Sequence, residues 1–222
     1  MPNDFNENCD ITRFNEDIAQ YVTLYKEKPS YRRVIVPEYF KQACLFIDFL
    51  KPKSILDYGC GGGALIDAIQ KKYPAIICYK YDPAIAGIDF LPIDKVDMVI
   101  NIDVLEHIAE NNIEKIIEEI SKLSKNAFFG LHHALATEIL PNGKNAHCTV
   151  KPPEWYYNAA KKYFTTLTLL EGHAAYLSTL LTFGITASLK RKYMGILKKR
   201  GSPKKFLEYL PYISKWFSHG RS

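Results

Sequence analysis

The chain has 222 residues, of which 47% are hydrophobic and 24% are charged. This length and composition suit one α/β domain with a sizeable core, and the sequence shows neither internal repeats nor low-complexity tracts. The net charge is +5, but residues 190–222 hold ten Lys or Arg and one acid, so the remainder is slightly acidic. Basic charge confined to a tail argues against a nucleic-acid partner.

The cysteines and the apolar segments indicate the compartment. Five cysteines are present, and none form a Cys-x-x-Cys pair. We therefore expect a reduced, cytoplasmic protein. The N-terminus is polar and acidic and shows no secretory signal. The longest apolar stretch, 174–189, is interrupted by Ser, Thr and Gly and is predicted to form a strand rather than a membrane span.

The N-terminal residues 1–36 are predicted to be a helical extension. Within them, Ile11–Tyr25 has the spacing of an amphipathic helix, with Tyr21 and Tyr25 among its aromatics. Pro37 then favours a new helix with a broad apolar face, which ends at Lys51-Pro52.

Residues 53–68 organise the rest of the chain. They predict a buried strand at Ser54–Tyr58, a turn containing Gly59, Gly61, Gly62 and Gly63, and a helix from Ala64. Glycines allow a sharp turn and a close approach of a ligand to the backbone. The helix start offers free N–H groups to an anion. Spacing of this kind also fits the dinucleotide fingerprint, so the glycines leave an NAD-linked oxidoreductase open.

Asp57 helps to distinguish a pyrophosphate ligand such as NAD from a ligand that carries an ammonium group. It lies at the strand end, two residues before the first glycine. A fixed carboxylate there would repel a pyrophosphate and attract an ammonium group. S-adenosylmethionine (SAM) carries an ammonium, a carboxylate and a sulfonium but no phosphate. Asp57 therefore favours SAM over NAD.

A second strand is predicted over residues 75–81, ending at Asp82-Pro83. An acid about twenty residues past the glycines is placed to accept hydrogen bonds from ribose hydroxyls. The alternative is a turn-forming Asp before Pro. Only fourteen residues separate Asp82 from Asp97, and the next strand is predicted at Val96–Ile100.

Two segments carry a family resemblance. The run from Asp57 through Gly63 and the later Asp103-Val-Leu-Glu-His107 resemble two motifs of class I SAM-dependent methyltransferases. The resemblance covers about residues 30–190. It implies an α/β Rossmann-like fold with a mostly parallel sheet and a C-terminal antiparallel strand pair. It also implies a SAM-binding catalytic domain over 37–190, with residues 1–36 as a lid or as a helix that only packs on the domain.

The resemblance also implies the residues that contact SAM. The strand end and the glycine loop would hold the methionine part of SAM, and Asp82 would hold its ribose. The end of a later strand would line the rest of the pocket, with His107 in a supporting role. The implied contacts are Asp57, Gly59, Cys60, Gly61, Gly63, Asp82, Asn101, Ile102, Asp103 and His107.

The chain departs from the family after its second strand. A helix, a strand and another helix usually follow, and the fourteen residues here are too few for all three. We therefore expect a missing or vestigial third strand, with Asp89, Phe90 and Leu91 as candidate adenine contacts. This shortening keeps a non-catalytic SAM-fold binding module as an alternative function.

The second half predicts two helices, 108–123 and 153–162, and three strands. The strands are Ala127–Leu131, followed by Phe164–Leu170 and Leu180–Leu189 as the antiparallel pair. Histidines lie near the ligand-binding edge of this predicted sheet.

Methyl transfer to a hydroxyl requires a base, and histidine is the usual one near neutral pH. His132 and His133 end a predicted strand, and His147 lies in a polar loop, so one of these three is the candidate base. For each, an ordinary surface or helix-capping role is the alternative. The histidine spacing matches no established metal signature, so no metal site is predicted.

The expected acceptor is a small molecule bearing a hydroxyl, such as a sugar, lipid or metabolite, by analogy with the family. The tail 191–222 is basic and aromatic. It suits an anionic membrane surface, which would make the protein peripheral, or a phosphorylated substrate. A terminal helical hairpin packed on the domain explains the same pattern.

Overall fold

A computed structural model describes residues 7–33, 36–172 and 176–198. These residues form six α-helices, six β-strands and two short 3-10 helices. The helices are α1 (Glu7–Glu27), α2 (Pro37–Leu50), α3 (Ala64–Lys72), α4 (Glu110–Leu123), α5 (Pro153–Ala160) and α6 (Ala187–Lys198). The strands are β1 (Ser54–Tyr58), β2 (Ile77–Tyr81), β3 (Met98–Ile102), β4 (Ala127–His132), β5 (Thr168–Glu171) and β6 (Leu177–Leu181). The 3-10 helices are Tyr31–Arg33 and Leu105–His107.

The six strands form one sheet in the order β2-β1-β3-β4-β6-β5. The first four strands are parallel, while β6 runs antiparallel to both β4 and β5. This is the predicted Rossmann-like architecture with a C-terminal antiparallel pair. The chain direction places the carboxyl ends of β1, β2 and β3 at one edge, where the order reverses between β1 and β3.

Two apolar layers cover the sheet because alternate strand residues point to opposite faces. Ile55 of β1 and Phe128 of β4 pack with helices α2, α3 and α6. Their chain neighbours Leu56 and Phe129 pack with α4 and α5. All four side chains are fully buried. The sheet is therefore a rigid base for loops at its edge.

The predicted loss of a third strand is confirmed. Between Asp82 and Asp97 the described chain forms turns instead of a strand, as when Asp82 N–H donates to the Ile88 carbonyl at 2.9 Å. The following strand begins at Met98, two residues later than predicted, because its buried register with β1 begins there.

The predicted strand Leu180–Leu189 is wrong over most of its length. The strand is Leu177–Leu181, and a helix begins at Ala187. The Thr186 hydroxyl accepts a hydrogen bond from Leu189 N–H at 3.1 Å and so caps that helix. Leu189 and Tyr193 of the helix then pack in the core beside α2.

Several other predicted elements differ from the structure at their ends. The N-terminal helix spans Glu7–Glu27 rather than 11–25, and the strand predicted at Phe164–Leu170 is Thr168–Glu171. The division into an extension, a catalytic domain and a tail stays a prediction. Residues 199–222, most of the basic tail, lie outside the described residues.

Candidate active site

A cavity of about 360 Å³ opens at the carboxyl ends of β1, β2 and β3. Open α/β sheets bind ligands at this edge, at the point where the strand order reverses. The volume lies within the range of small-molecule sites, roughly 300–1,000 Å³. Its walls combine strand ends with the N-terminal helix α1.

The glycine loop after β1 forms the floor. Gly59 and Gly61 have φ angles of 78° and 53°, a region that L side chains rarely adopt. A Cβ at Gly59 would lie 2.6 Å from a Val104 methyl, and one at Gly61 would lie 2.7 Å from the Arg32 carbonyl oxygen. The loop therefore needs glycine both for its conformation and for close packing.

Of the two remaining predicted loop residues, one lines the cavity and the other supports the start of a helix. Cys60 lines the cavity with Gly59 and Gly61. Gly63 does not line the cavity and instead precedes the first residue of α3, with φ 77°. Its place in the site is to start the helix.

Asp57 at the end of β1 lines the cavity although it is only 4% exposed. Burial raises the pKa of this carboxyl to about 7, and the nearby negative charge of Asp82 adds to the shift. A cationic group of a ligand would favour the charged carboxylate and offset this cost. Asp57 is therefore a candidate partner for a positive ligand group.

Asp82 follows β2 and lines the same cavity. Its Oδ2 accepts the Gly61 N–H at 2.8 Å, and its Oδ1 accepts the Ala84 N–H at 2.9 Å. Burial raises the pKa of Asp82, while these backbone bonds oppose the shift. Each carboxylate oxygen can still accept a hydrogen bond from a ligand hydroxyl.

The residues at the end of β3 do not all reach the cavity. Ile102 and Asp103 line it. Asn101 does not: it is fully buried, and its Nδ2 donates to the Tyr58 carbonyl at 3.1 Å. Asp103 has a φ of 59°, a left-handed conformation that aspartate tolerates better than most residues. The turn directs the chain from β3 into the 3-10 helix.

Helix α1 and the 3-10 helix after it form the opposite wall. Asp17, Tyr21 and Tyr25 of α1 line the cavity, followed by Tyr31 and Arg32. The sequence identified Tyr21 and Tyr25 as aromatics of an N-terminal helix. It missed Asp17 and Arg32, because their contacts with the site are long-range and leave no local pattern.

Three histidines form a cluster beside the cavity. The ring centroid of His147 lies 4.7 Å from that of His107 and 4.6 Å from that of His132. Of the three, His107 lines the cavity wall. Burial lowers the pKa of both His107 and His132, so the neutral form of each is favoured at pH 7.

His133 is separated from this cluster. Its Nε2 lies 2.7 Å from the Ser178 hydroxyl, and its Nδ1 lies 2.8 Å from the Lys151 carbonyl oxygen. Both ring nitrogens are thus engaged, as suits a side chain that holds β6 and a loop together.

The candidate adenine contacts lie away from the cavity wall. Asp89, Phe90 and Leu91 do not line the cavity, and Phe90 is 64% exposed. Pro83 and Ala84, directly after β2, line it instead. In the shortened connection the chain turns immediately at Asp82, and this turn brings these two residues to the cavity.

The family of the chain follows from comparison with known proteins. A family model described as a methyltransferase domain matches residues 34–161, more than half of the chain. The chain belongs to this methyltransferase family. The match supports SAM as the methyl donor, in agreement with the acidic and glycine residues of the cavity. No curated protein matches the sequence.

Two solved structures with TM-scores of 0.50 and 0.51 share the fold of this methyltransferase, and a third is similar at a lower score. The mitomycin 7-O-methyltransferase MmcR has a TM-score of 0.51 and 14% identity, over 72% of this chain and 59% of that one. The methyltransferase domain of bacterial CtHen1 has a TM-score of 0.50 and 14% identity, over 66% and 100%. An O-methyltransferase family protein from Burkholderia thailandensis has a TM-score of 0.46 and 11% identity, over 72% and 56%. The chain thus spans little more than half of the first and third proteins, and identities this low show the fold alone.

Within residues 7–33, 36–172 and 176–198, no helix is both long enough and apolar enough to cross a bilayer.

Proposed function

We propose that the chain transfers a methyl group from SAM to a hydroxyl oxygen of a small-molecule acceptor. The observation that carries this proposal is the pairing of Asp57 and Asp82, from adjacent strand ends, on one cavity whose wall also contains His107. Two carboxylates suit the ammonium and ribose hydroxyls of SAM, and the histidine cluster suits proton removal from a hydroxyl.

The residues of the cavity fit the cofactor. SAM supplies a methyl group on a positively charged sulfur, a good leaving group. Asp57 would pair with its ammonium, the Gly59 to Gly61 backbone would lie against its methionine part, and Asp82 would accept from its ribose hydroxyls. Pro83 and Ala84 give an apolar surface beside Asp82 for the adenine ring.

Helix α1 is the proposed lid. The Tyr21 hydroxyl lies 2.9 Å from both His107 Nδ1 and the Ala146 carbonyl oxygen, so the helix contacts the histidine cluster directly. Its cavity-facing tyrosines exclude water from the reacting groups, which strengthens the electrostatic interactions inside.

His132 is the proposed general base, with His147 second. Burial favours neutral His132, the form that takes up a proton. As the acceptor oxygen bonds to the methyl carbon, the carbon–sulfur bond breaks, its electron pair stays on sulfur, and the hydroxyl proton passes to the base. His133 has both ring nitrogens engaged and is the least suited of the three predicted histidines.

The test of the proposed function has two stages. Calorimetric titration with SAM and with S-adenosylhomocysteine, using NADH as a control, measures cofactor binding. Methyl transfer from labelled SAM to panels of sugars, lipids and other hydroxylated metabolites then measures turnover. Binding of NADH but not SAM would contradict the proposal and favour an oxidoreductase.

A non-catalytic SAM-binding module is the second candidate, favoured by the missing strand beside Asp82. It predicts SAM binding without turnover on any acceptor class. If the enzyme turns over, replacing His132 and His147 by Ala, one at a time, tests whether either histidine is the base. If both variants keep the full rate, the base is elsewhere.

The small-molecule acceptor and the cytoplasmic location are further parts of this proposal, supported by the size of the cavity and by the unpaired cysteines among the described residues. The described cysteines Cys44, Cys60, Cys78 and Cys148 are free.

A further inference from the structure

Asp103, His107 and His147 meet at one point beside the cavity. Each offers one ligand atom, and these atoms lie within 4.8 Å of one another. They come from the turn after β3, from the next 3-10 helix, and from the long loop before α5. The spacing of about forty residues between the histidines explains why no local motif predicts this group.

The two histidines are oriented as ligands. His107 Nδ1 lies 3.0 Å from the Ala146 carbonyl oxygen, and His147 Nδ1 lies 2.5 Å from the Ala134 carbonyl oxygen. A carbonyl oxygen only accepts hydrogen bonds, so it favours the tautomer with the proton on Nδ1 and a free lone pair on Nε2. Metal-binding histidines are commonly held in this way.

The Asp103 carboxylate faces this lone pair. Its Oδ1 lies 3.9 Å from His107 Nε2, longer than a hydrogen bond and wide enough for an ion to bridge the two atoms. The Asp103 side chain is 55% exposed and lines the cavity. An ion bound here would therefore be open to a ligand from the cavity side.

Glu106 supplies an independent sign of a cation. It is 1% exposed, and both of its carboxyl oxygens have no hydrogen-bond partner among the described residues. Its strongest charged neighbour is Asp103. Two neighbouring carboxylates, one of them buried and unpartnered, are costly to hold charged together unless a positive charge lies beside them.

We propose that Asp103, His107 and His147 bind a divalent transition-metal ion, with the Glu106 carboxylate facing the same ion. Two imidazoles and a carboxylate suit Zn²⁺, Fe²⁺, Co²⁺ or Mn²⁺ and leave coordination positions open. This differs from the sequence-based expectation of no metal, which considered His147 together with His132, His133 and Glu138 and did not include Asp103 or His107.

The open positions give the ion a use in the reaction. In this part the inference rests on the proposed function: the ion binds an oxygen of the acceptor and lowers the pKa of its hydroxyl. His132, whose ring lies beside His147, is then placed to receive the proton. The acceptor class is thus a hydroxylated molecule with an oxygen free to coordinate.

The experiment measures metal binding without SAM. The purified full chain is stripped with a chelator, dialysed and titrated with Co²⁺, Mn²⁺ and Zn²⁺, with Mg²⁺ for comparison. Retained metal is counted after gel filtration, and the visible spectrum of Co²⁺ reports its coordination. The expected result is one equivalent of a transition metal, bound at least tenfold more tightly than Mg²⁺.

Four variants locate the site. Asp103→Asn and His147→Ala each weaken binding at least tenfold, and Glu106→Gln weakens it by a smaller factor. His133→Gln is the matched control, because that histidine lies outside the cluster, and it binds as the wild type does. Circular dichroism and thermal melting of each variant identify those that fail to fold, and Asp103→Asn is nearly isosteric and exposed.

Two results would overturn the proposal: no retained equivalent in the wild type, or unchanged Co²⁺ binding and spectrum in folded Asp103→Asn and His147→Ala. SAM titration of the same preparations keeps the two hypotheses apart. Metal binding without SAM binding contradicts the proposed function alone, and SAM binding without metal contradicts this inference alone.

Discussion

The Tyr21 hydroxyl of helix α1 lies 2.9 Å from Nδ1 of His107, a residue 86 positions further along the chain. The same hydroxyl donates to the Ala146 carbonyl at 2.9 Å. One tyrosine thus connects the N-terminal helix, the turn after β3 and the long loop before α5. Burial raises the pKa of Tyr21 well above its usual value, so it stays a neutral donor at every working pH.

Tyr21→Phe removes this connection and keeps the ring. A net hydrogen bond contributes about 1 kcal/mol, and a buried partner left unsatisfied adds to the loss. We expect SAM to bind about five- to tenfold more weakly by calorimetry, because α1 is held less firmly over the cavity. Thr23→Ala, which removes an exposed bond to Ala19 within the same helix, is the control. Equal affinity in Tyr21→Phe and the wild type would mean that α1 does not act as a lid.

Asp82→Asn tests the ribose contact. The amide cannot accept at both oxygens as the carboxylate does, so one of the bonds to Gly61 and Ala84 or a ligand hydroxyl is lost. Hydrogen bonds to a charged group contribute about 1.5–3 kcal/mol, so we expect SAM affinity to fall at least tenfold. Asp89→Asn is the matched control, because the Asp89 carboxylate accepts an exposed bond from Gly87 and does not line the cavity. Similar losses in both variants would argue against a ribose site at Asp82.

Asp57→Asn is predicted to stabilise the ligand-free protein above pH 7. The pKa of Asp57 is about 7 in the folded state and about 3.9 when unfolded. Between these values the native state holds a proton that the unfolded chain has released, so stability falls as pH rises through this window. The loss, up to about 4 kcal/mol, is complete above pH 7. Urea unfolding should show the variant more stable at pH 8 and equal to the wild type near pH 4.

The same substitution has the opposite effect on the cofactor. SAM binding to the wild type should strengthen as Asp57 ionises, because the carboxylate then pairs with the ligand ammonium. Asp82 and the ligand titrate in the same way in both experiments. Their contributions to the pH dependence of the dissociation constant therefore cancel when the two proteins are compared. Parallel pH profiles of the dissociation constant in Asp57→Asn and the wild type would show that Asp57 does not contact the ammonium.

Much of the fold was predictable because its signals are local. The strand at Ser54–Tyr58, the glycine turn and the helix from Ala64 occur in the structure where the sequence placed them. The missing strand after Asp82 was predicted from the family resemblance together with the short segment between Asp82 and Asp97, which has too few residues for the family's helix, strand and helix. The helix from Ala187 was missed because the mainly apolar stretch 174–189 was read as strand through to its end, although Thr186 was an available capping signal.

The candidate site was less predictable because contacts between distant segments build it. Asp103 and His147 lie in different segments, and only folding shows that their ligand atoms meet. His132 and His133 were equivalent in the sequence. The structure separates them, since His132 lies against the ring of His147 and His133 lies against Ser178.

Gly61→Ala tests the contact between the glycine loop and the N-terminal segment. Gly61 has a φ of 53°, and an added Cβ would lie 2.7 Å from the Arg32 carbonyl oxygen. That oxygen also accepts the Gly62 N–H at 2.5 Å, so a shift would disturb the whole loop. The left-handed conformation alone costs an alanine about 1–2 kcal/mol.

Gly87→Ala is the matched control, because Gly87 has a φ of 90° and open space where a Cβ would lie. We expect both variants to lose stability in urea unfolding, with a larger loss in Gly61→Ala. SAM affinity should fall at least tenfold in Gly61→Ala and stay near the wild-type value in Gly87→Ala. If the two variants were equally stable and bound SAM equally well, the approach of Arg32 to the loop would have no part in forming the cofactor site.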